Sequence, residues 1–248
     1  MVLDSTIRYT ITGIINDIIN TYGVLSKNAV SSYLYKDNNR GLQYRNHEVY
    51  SISAGASKMC IIFEGLMDWV IKIPLMYDCS RREENTRKQW FAEDIKNGYF
   101  GSYLHYSPDL CKEEVNLYKA AVEAGIDKVF AEEKKVMTYH GIPIYAQARI
   151  DSNFMNSDRS DDEPDDELDD EIEEKLWTIE TSSSIDDLFE LQPFMEDLYN
   201  YTGKNFLNVM SFIVDNDIND LHNENVGYDF NGHPIFFDYS GFHNPTAA

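Results

Sequence analysis

The sequence predicts an α+β fold: a five-stranded antiparallel sheet preceded by a helical extension and followed by a reduced helical lobe. Three observations predict it. Isoleucines recur at helical spacing near the start, short runs of β-branched and aromatic residues begin at residue 48, and helical periodicity returns after residue 182. With 248 residues the chain suffices for one large domain or a two-lobed one.

The first segment, residues 1–46, reads as a helical extension. Ile7, Ile11, Ile14, Ile15, Ile18 and Ile19 share a helical face, with Asp4 and Ser5 as caps and Gly23 as the stop. A second helix is expected near Ala29–Tyr35, and it can pack on the sheet or serve self-association. Residues 47–150 form the sheet lobe. EVYSIS, KMCIIF and WVIKI make a meander through the AGAS and EGLMD turns. A helix follows from Cys111, with Val115, Tyr118 and Val122 on one face and Gly125 as its stop. Two further strands flank the His140-Gly141 turn. Residues 78–110 show no clear period.

Residues 151–176 are an acidic insertion. Between Asp151 and Glu174 stand 13 carboxylates and one arginine, Arg159, so this stretch carries −12 of the chain's net −22. So little apolar content predicts a solvated, disordered insertion or a frayed helix at the surface, with an acidic decoy for a basic protein partner or a cation-binding tract as its functional readings. Residues 177–248 form the second lobe. SSIDDLFEL opens one helix, and Phe206, Val209, Met210 and Ile213 make the buried face of another.

Composition excludes several classes. No apolar run approaches the ~20 residues of a membrane span, and MVLDSTIRYT, without a basic region followed by an apolar stretch, does not read as a signal peptide. Three cysteines without CxxC spacing argue against a disulfide framework or a structural zinc site, which fits a reducing cytoplasm. A net −22 opposes direct binding to nucleic acid or to an anionic membrane.

The chemistry concentrates in DINDLHNENVGYDFNGHPIFFDYSG, from Asp217 to Gly241. It contains Asp220, Asn225 and Asp238, two carboxylates and an amide from a loop and a following turn. Mg²⁺ takes such oxygen ligands, and a hydroxyl that attacks a phosphoryl group needs a carboxylate to receive its proton. Each of these residues is also a common turn former, so the set is informative and its members singly are not.

Together with the preceding elements, this arrangement resembles the protein-kinase-like superfamily in its broad sense, small-molecule kinases included. The stretch Asp220–Asn225, DLHNEN, is similar to the catalytic loop, and Asp238-Tyr239-Ser240-Gly241 to the D-F-G metal motif. Val70-Ile71-Lys72 resembles the third-strand V-A-I-K element, and Gly55 lies where a glycine-rich loop belongs. The resemblance implies ATP and Mg²⁺ as cofactors. It makes Asp220 the base, Asn225 and Asp238 the metal ligands, and Lys72 the phosphate-binding lysine paired with Glu114. Gly55, Gln147 and Ala148 would line the nucleotide, the last two as the hinge.

Several positions depart from that pattern. Ile218-Asn219 stand where protein kinases carry histidine and arginine, which removes the usual contact to a phosphorylated activation loop. His222 replaces a lysine, so the loop is closer to the aminoglycoside and small-molecule phosphotransferase branch. Seven residues follow Gly241, too few here for an A-P-E motif or peptide-docking helices. The expected function is an ATP·Mg²⁺-dependent phosphotransferase acting on a small molecule or on protein, itself included. Two alternatives stand beside it: a kinase-like pseudoenzyme, and an acidic interaction protein. Composition and small size suggest a bacterial or bacteriophage source.

Overall fold

The computed structural model describes residues 3–37, 43–44, 47–55, 57–76, 89, 93, 110–150, 185–218 and 221–239. Their contacts divide the chain into two units: Met1–Lys112 with Glu133–Ala148, and Glu113–Glu132 with Arg149–Ala248. The fold is α+β. The acidic tract expected at 151–176 and the aperiodic stretch 78–109 lie outside the described residues, apart from two isolated positions in the latter.

In the first unit, α1 (Ser5–Tyr22) starts where Asp4 Oδ1 accepts the Ile7 N–H at 2.8 Å. Such caps contribute about 1 kcal/mol. It ends at Gly23, whose φ of 76° is left-handed and whose N–H donates to Ile19 O. Ile7, Ile11, Ile14, Ile15 and Ile18 are buried, while Ile19 packs at the margin. Each buried isoleucine stabilises by roughly 1.5–3 kcal/mol. Helix α2 (Lys27–Asp37) follows, and Met76 N–H donates to Leu25 O at 2.8 Å, tying the helix connection to the end of the sheet's middle strand.

The sheet contains β1 (Gln43–Tyr44), β2 (His47–Ala54), β3 (Lys58–Phe63), β4 (Trp69–Pro74), β5 (Glu133–Tyr139) and β6 (Ile142–Ala148). Their order is β1-β2-β3-β4-β6-β5, every pair antiparallel. The five expected strands are present, and β1 adds a two-residue edge. The β5–β6 turn has φ of 47° at His140 and 78° at Gly141, the pair of positive angles that a tight hairpin turn needs. Met59, Ile61, Phe63, Ile71, Ile73, Ile144 and Ala146 form one core with the α1 isoleucines. Helices α1 and α2 therefore cover one sheet face, the first of the two roles expected for them, while Gln43–Tyr44 of the expected extension joins the sheet as β1.

Helix α3 (Leu110–Ala124) corrects one reading. Val115 is buried, but Val122 is 48% exposed, and Ala121 and Glu114 are fully buried instead. The inward stripe runs through Glu114, Tyr118 and Ala121, a rotation of the helix away from Val122.

In the second unit, α4 (Ile185–Thr202) and α5 (Phe206–Asp215) precede a hairpin of β7 (Val226–Tyr228) and β8 (Pro234–Phe236). Phe206, Val209, Met210 and Ile213 are all buried, as their spacing predicts. They join Phe130, Leu191, Phe194, Leu198, Phe236 and Tyr239 in a second core. No helix among the described residues is long and apolar enough to cross a membrane.

Candidate functional site

Within the first unit, Lys72 sits on β4, between β3 and β6 and far from either sheet edge. Ile71 and Ile73 enter the core, so alternation sends Lys72 to the opposite face. There its Nζ lies 3.2 Å from Glu133 Oε2, with the two side chains 4% and 0% exposed. Gln147 Nε2 donates to the same oxygen at 3.0 Å. Register explains the meeting: Glu133 is directly opposite Gln147, and Lys72 is opposite Tyr145. Cys111 brings its Sγ within 4.8 Å of a Glu133 carboxylate oxygen. A solvent-facing edge lysine, the competing reading of Lys72, does not describe this residue.

Glu133 is the functional-site residue that sequence reasoning missed. It stands in Glu132-Glu133-Lys134-Lys135, a run that reads as solvated surface. Local pattern does not find it: the register set at His140-Gly141 would put Lys134 opposite Gln147, and an irregularity between Lys135 and Met137 shifts the strand by one residue and gives that place to Glu133. Lys134, next in the chain, lies half-buried on the other face, its Nζ 4.2 Å from the Trp69 ring centre.

Gly55 begins the β2–β3 connection, donating to Lys58 O at 2.9 Å. A Cβ added there would meet that carbonyl only at 3.8 Å, an ordinary contact, so the backbone does not require glycine. Ala148, expected at the hinge, ends β6 opposite Trp69.

In the second unit, Glu114 is fully buried on α3, while Glu113 is partly exposed. Helix phase thus separates the two glutamates. Nearby, Tyr118 has its phenol pKa raised by burial, with the charges of Glu132 and Asp127 adding to the effect.

Asn225 and Asp238 are brought to one end of the β7–β8 hairpin. Val226 pairs with Phe236, and one step beyond, Asn225 O accepts the Phe237 N–H at 2.9 Å. Asn225 is buried and Asp238 partly so. Asp238 holds φ of 56°, a left-handed conformation that aspartate adopts more readily than most residues and that often marks functional sites. Its neighbour fixes it there. Tyr239 is fully buried, donates its OH to Ala131 O at 3.0 Å and meets Phe130 edge-on at 5.3 Å.

Asp220 lies outside the described residues. On either side of it, Ile218 and Leu221 are anchored in the second core. Asp217 takes φ of 52° after α5, and Ile218 N–H returns to Ile213 O, closing the helix end. His222 Nδ1 accepts the Glu224 N–H at 3.2 Å, a local cap of the turn that carries Asn225.

The hairpin turn has its own polar clasp. Asp229 accepts from the backbone of Asn231 and His233 at 2.8 and 2.9 Å, and its other oxygen meets His233 Nδ1 at 3.0 Å. Burial pushes the Asp229 carboxyl up, but the hydrogen bonds from His233 and Asn231 together outweigh it and hold the pKa below the usual carboxylate range. A lowered folded pKa means stabilisation that is complete above about pH 4 and lost as pH falls through the folded value. Acid titration of the melting temperature is expected to show this loss in the wild type and less of it in Asp229→Asn. Parallel acid profiles for the two proteins would contradict it.

Comparison with protein-family models, curated proteins and solved structures finds no match to this chain.

Proposed function

We propose that this chain is an ATP- and Mg²⁺-dependent phosphotransferase of the kinase-like kind, acting on a small molecule or on protein, itself included. One observation carries the reading: two oxygen-bearing side chains, Asn225 and Asp238, sit at one hairpin end, the aspartate in a left-handed conformation. Amide and carboxylate oxygens are hard donors of the type Mg²⁺ takes, and the donor set fits the ion. Asn225 and Asp238 would hold it, and the ion would neutralise charge on the transferring phosphoryl group. Lys72, met by Glu133, which Gln147 holds in turn, would bind nucleotide phosphate, and Asp220 would receive the acceptor's proton.

Calorimetric titration tests the metal assignment. Asp238→Asn is expected to weaken Mg²⁺-dependent nucleotide binding by about tenfold or more while leaving the melting temperature near that of the wild type. Unchanged Mg²⁺ dependence would remove Asp238 and Asn225 from the site.

A second reading, a kinase-like protein that binds without turnover, is favoured by the β2–β3 connection. Gly55 is a single glycine with no backbone need for one, a weak phosphate clamp. Nucleotide binding without any transfer of phosphate would select it. The third reading, an acidic interaction protein, rests on the tract at 151–174 and would be selected by the absence of nucleotide binding altogether.

A further inference from the structure

A cavity of about 180 Å³ lies wholly within the second unit, between the turn that follows α3 and the turn that joins α4 to α5. Its floor is apolar: Ile126, Val129 and Val209 are all buried and belong to the second core. Its rim is polar and exposed, contributed by Lys128, Asn205 and Tyr201. Among the described residues the lining holds one lysine and no carboxylate, although the chain carries a net charge of −22. Asp127, adjacent to Lys128 in sequence, does not line it.

The backbone builds both walls. Gly125 ends α3 with φ of 72°, and the Ile126 N–H returns to Ala121 O at 3.0 Å, so the chain turns sharply and presents Lys128 just before the buried Val129. On the other side Asn205 holds the N-cap position of α5. Asparagine there ordinarily accepts a hydrogen bond from the helix's own N–H groups, but Asn205 makes no such cap. Its side-chain amide is left at the cavity rim, and the helix N-terminus behind it adds partial positive charge. Tyr201 is fixed in turn: its ring stacks on His233 at 4.5 Å, and His233 is held by Asp229. This wall exists before any ligand arrives, which spares a ligand the cost of ordering it.

Size and polarity define what fits. The cavity has the space of roughly six water molecules, too small for a nucleotide and enough for a carboxylate of about five to seven carbons. A lysine and an amide at one rim suit a carboxylate, whose two oxygens can accept from both at once. Ile126, Val129 and Val209 then take a short apolar body.

We infer that this cavity binds a small monocarboxylate with a compact apolar body, its charged end on Lys128 and Asn205. Tyr201 meets the β7–β8 hairpin at its turn, whereas Asn225 and Asp238 stand at the opposite end of the strands, roughly 10 Å away. The site is separate from the one proposed for Mg²⁺ and does not rest on the phosphotransferase reading.

Titration of the isotope-labelled full chain at constant ionic strength, followed by amide NMR shifts, provides the test. The probes are isovalerate, benzoate, isovaleramide and inorganic phosphate. At least one of the two carboxylates shifts the resonances of residues 125–129 and 201–209 to saturation. Isovaleramide, the shape without the charge, and inorganic phosphate, the charge without the apolar body, each bind about tenfold more weakly or worse. Lys128→Met, at an exposed position, keeps the wild-type melting temperature and loses about tenfold or more in carboxylate affinity. Asn205→Asp, equally suited to begin a helix, sets a carboxylate on the rim and abolishes binding. Neither carboxylate giving saturable shifts at these residues would overturn the inference, as would wild-type affinity in folded Lys128→Met. Inorganic phosphate bound as tightly as the carboxylates would overturn it too, since the apolar floor would then play no part.

Discussion

Glu133→Ala is expected to destabilise the protein by about 3–5 kcal/mol, because it leaves the Lys72 ammonium buried without the carboxylate that now meets it. The Gln147 amide loses its acceptor in the same step. The cost comes from a charge in a low-dielectric interior losing the carboxylate 3.2 Å away, and the net worth of the intact pair is much smaller. The double variant Lys72→Met with Glu133→Leu, which removes both charges and keeps volume, is therefore expected to recover most of the loss. Urea denaturation of the two variants and the wild type measures both effects. A Glu133→Ala midpoint close to the wild type would show that the pair is solvated.

Asp220→Ala is expected to bind nucleotide as the wild type does and to lose ~10²-fold or more in turnover, the usual contribution of a positioned general base. Phosphoryl transfer depends mainly on positioning and charge neutralisation, so the two kinds of variant separate by what they damage. Lys72→Ala should weaken nucleotide binding as well as turnover, whereas Asp220→Ala should spare binding. Undiminished turnover in Asp220→Ala would remove Asp220 from the catalytic loop.

What was legible in the sequence was what local pattern determines. The isoleucine period of α1, the β2–β4 meander and the His140-Gly141 turn each state their structure within a few residues, through side-chain spacing and turn chemistry. The α5 core face was equally plain, at Phe206, Val209, Met210 and Ile213. Illegible were features that depend on distant partners. Glu133 lies 61 residues from Lys72 in sequence and inside a charged run, so only the sheet register joins them. Lys58 reads as a polar strand start, and its burial follows from the face on which β3 places it. In α3 hydrophobicity selects a face of Val115, Tyr118 and Val122, yet the helix turns Ala121 inward beside Glu114 and leaves Val122 out. Asp238 was legible as a residue type in a suggestive motif, but its left-handed backbone and the Tyr239 anchor beside it are tertiary facts.

The central claim is that this chain transfers phosphate, and one assay addresses it most directly: incubation of the wild-type protein with γ-labelled ATP and Mg²⁺. The acceptors are the protein itself and a panel of small hydroxyl- and amine-bearing molecules. The account predicts label on the protein or on at least one acceptor, lost when Mg²⁺ is chelated and lost again in Asp238→Asn. Protein that binds ATP·Mg²⁺ yet moves no label to itself or to any acceptor would contradict it.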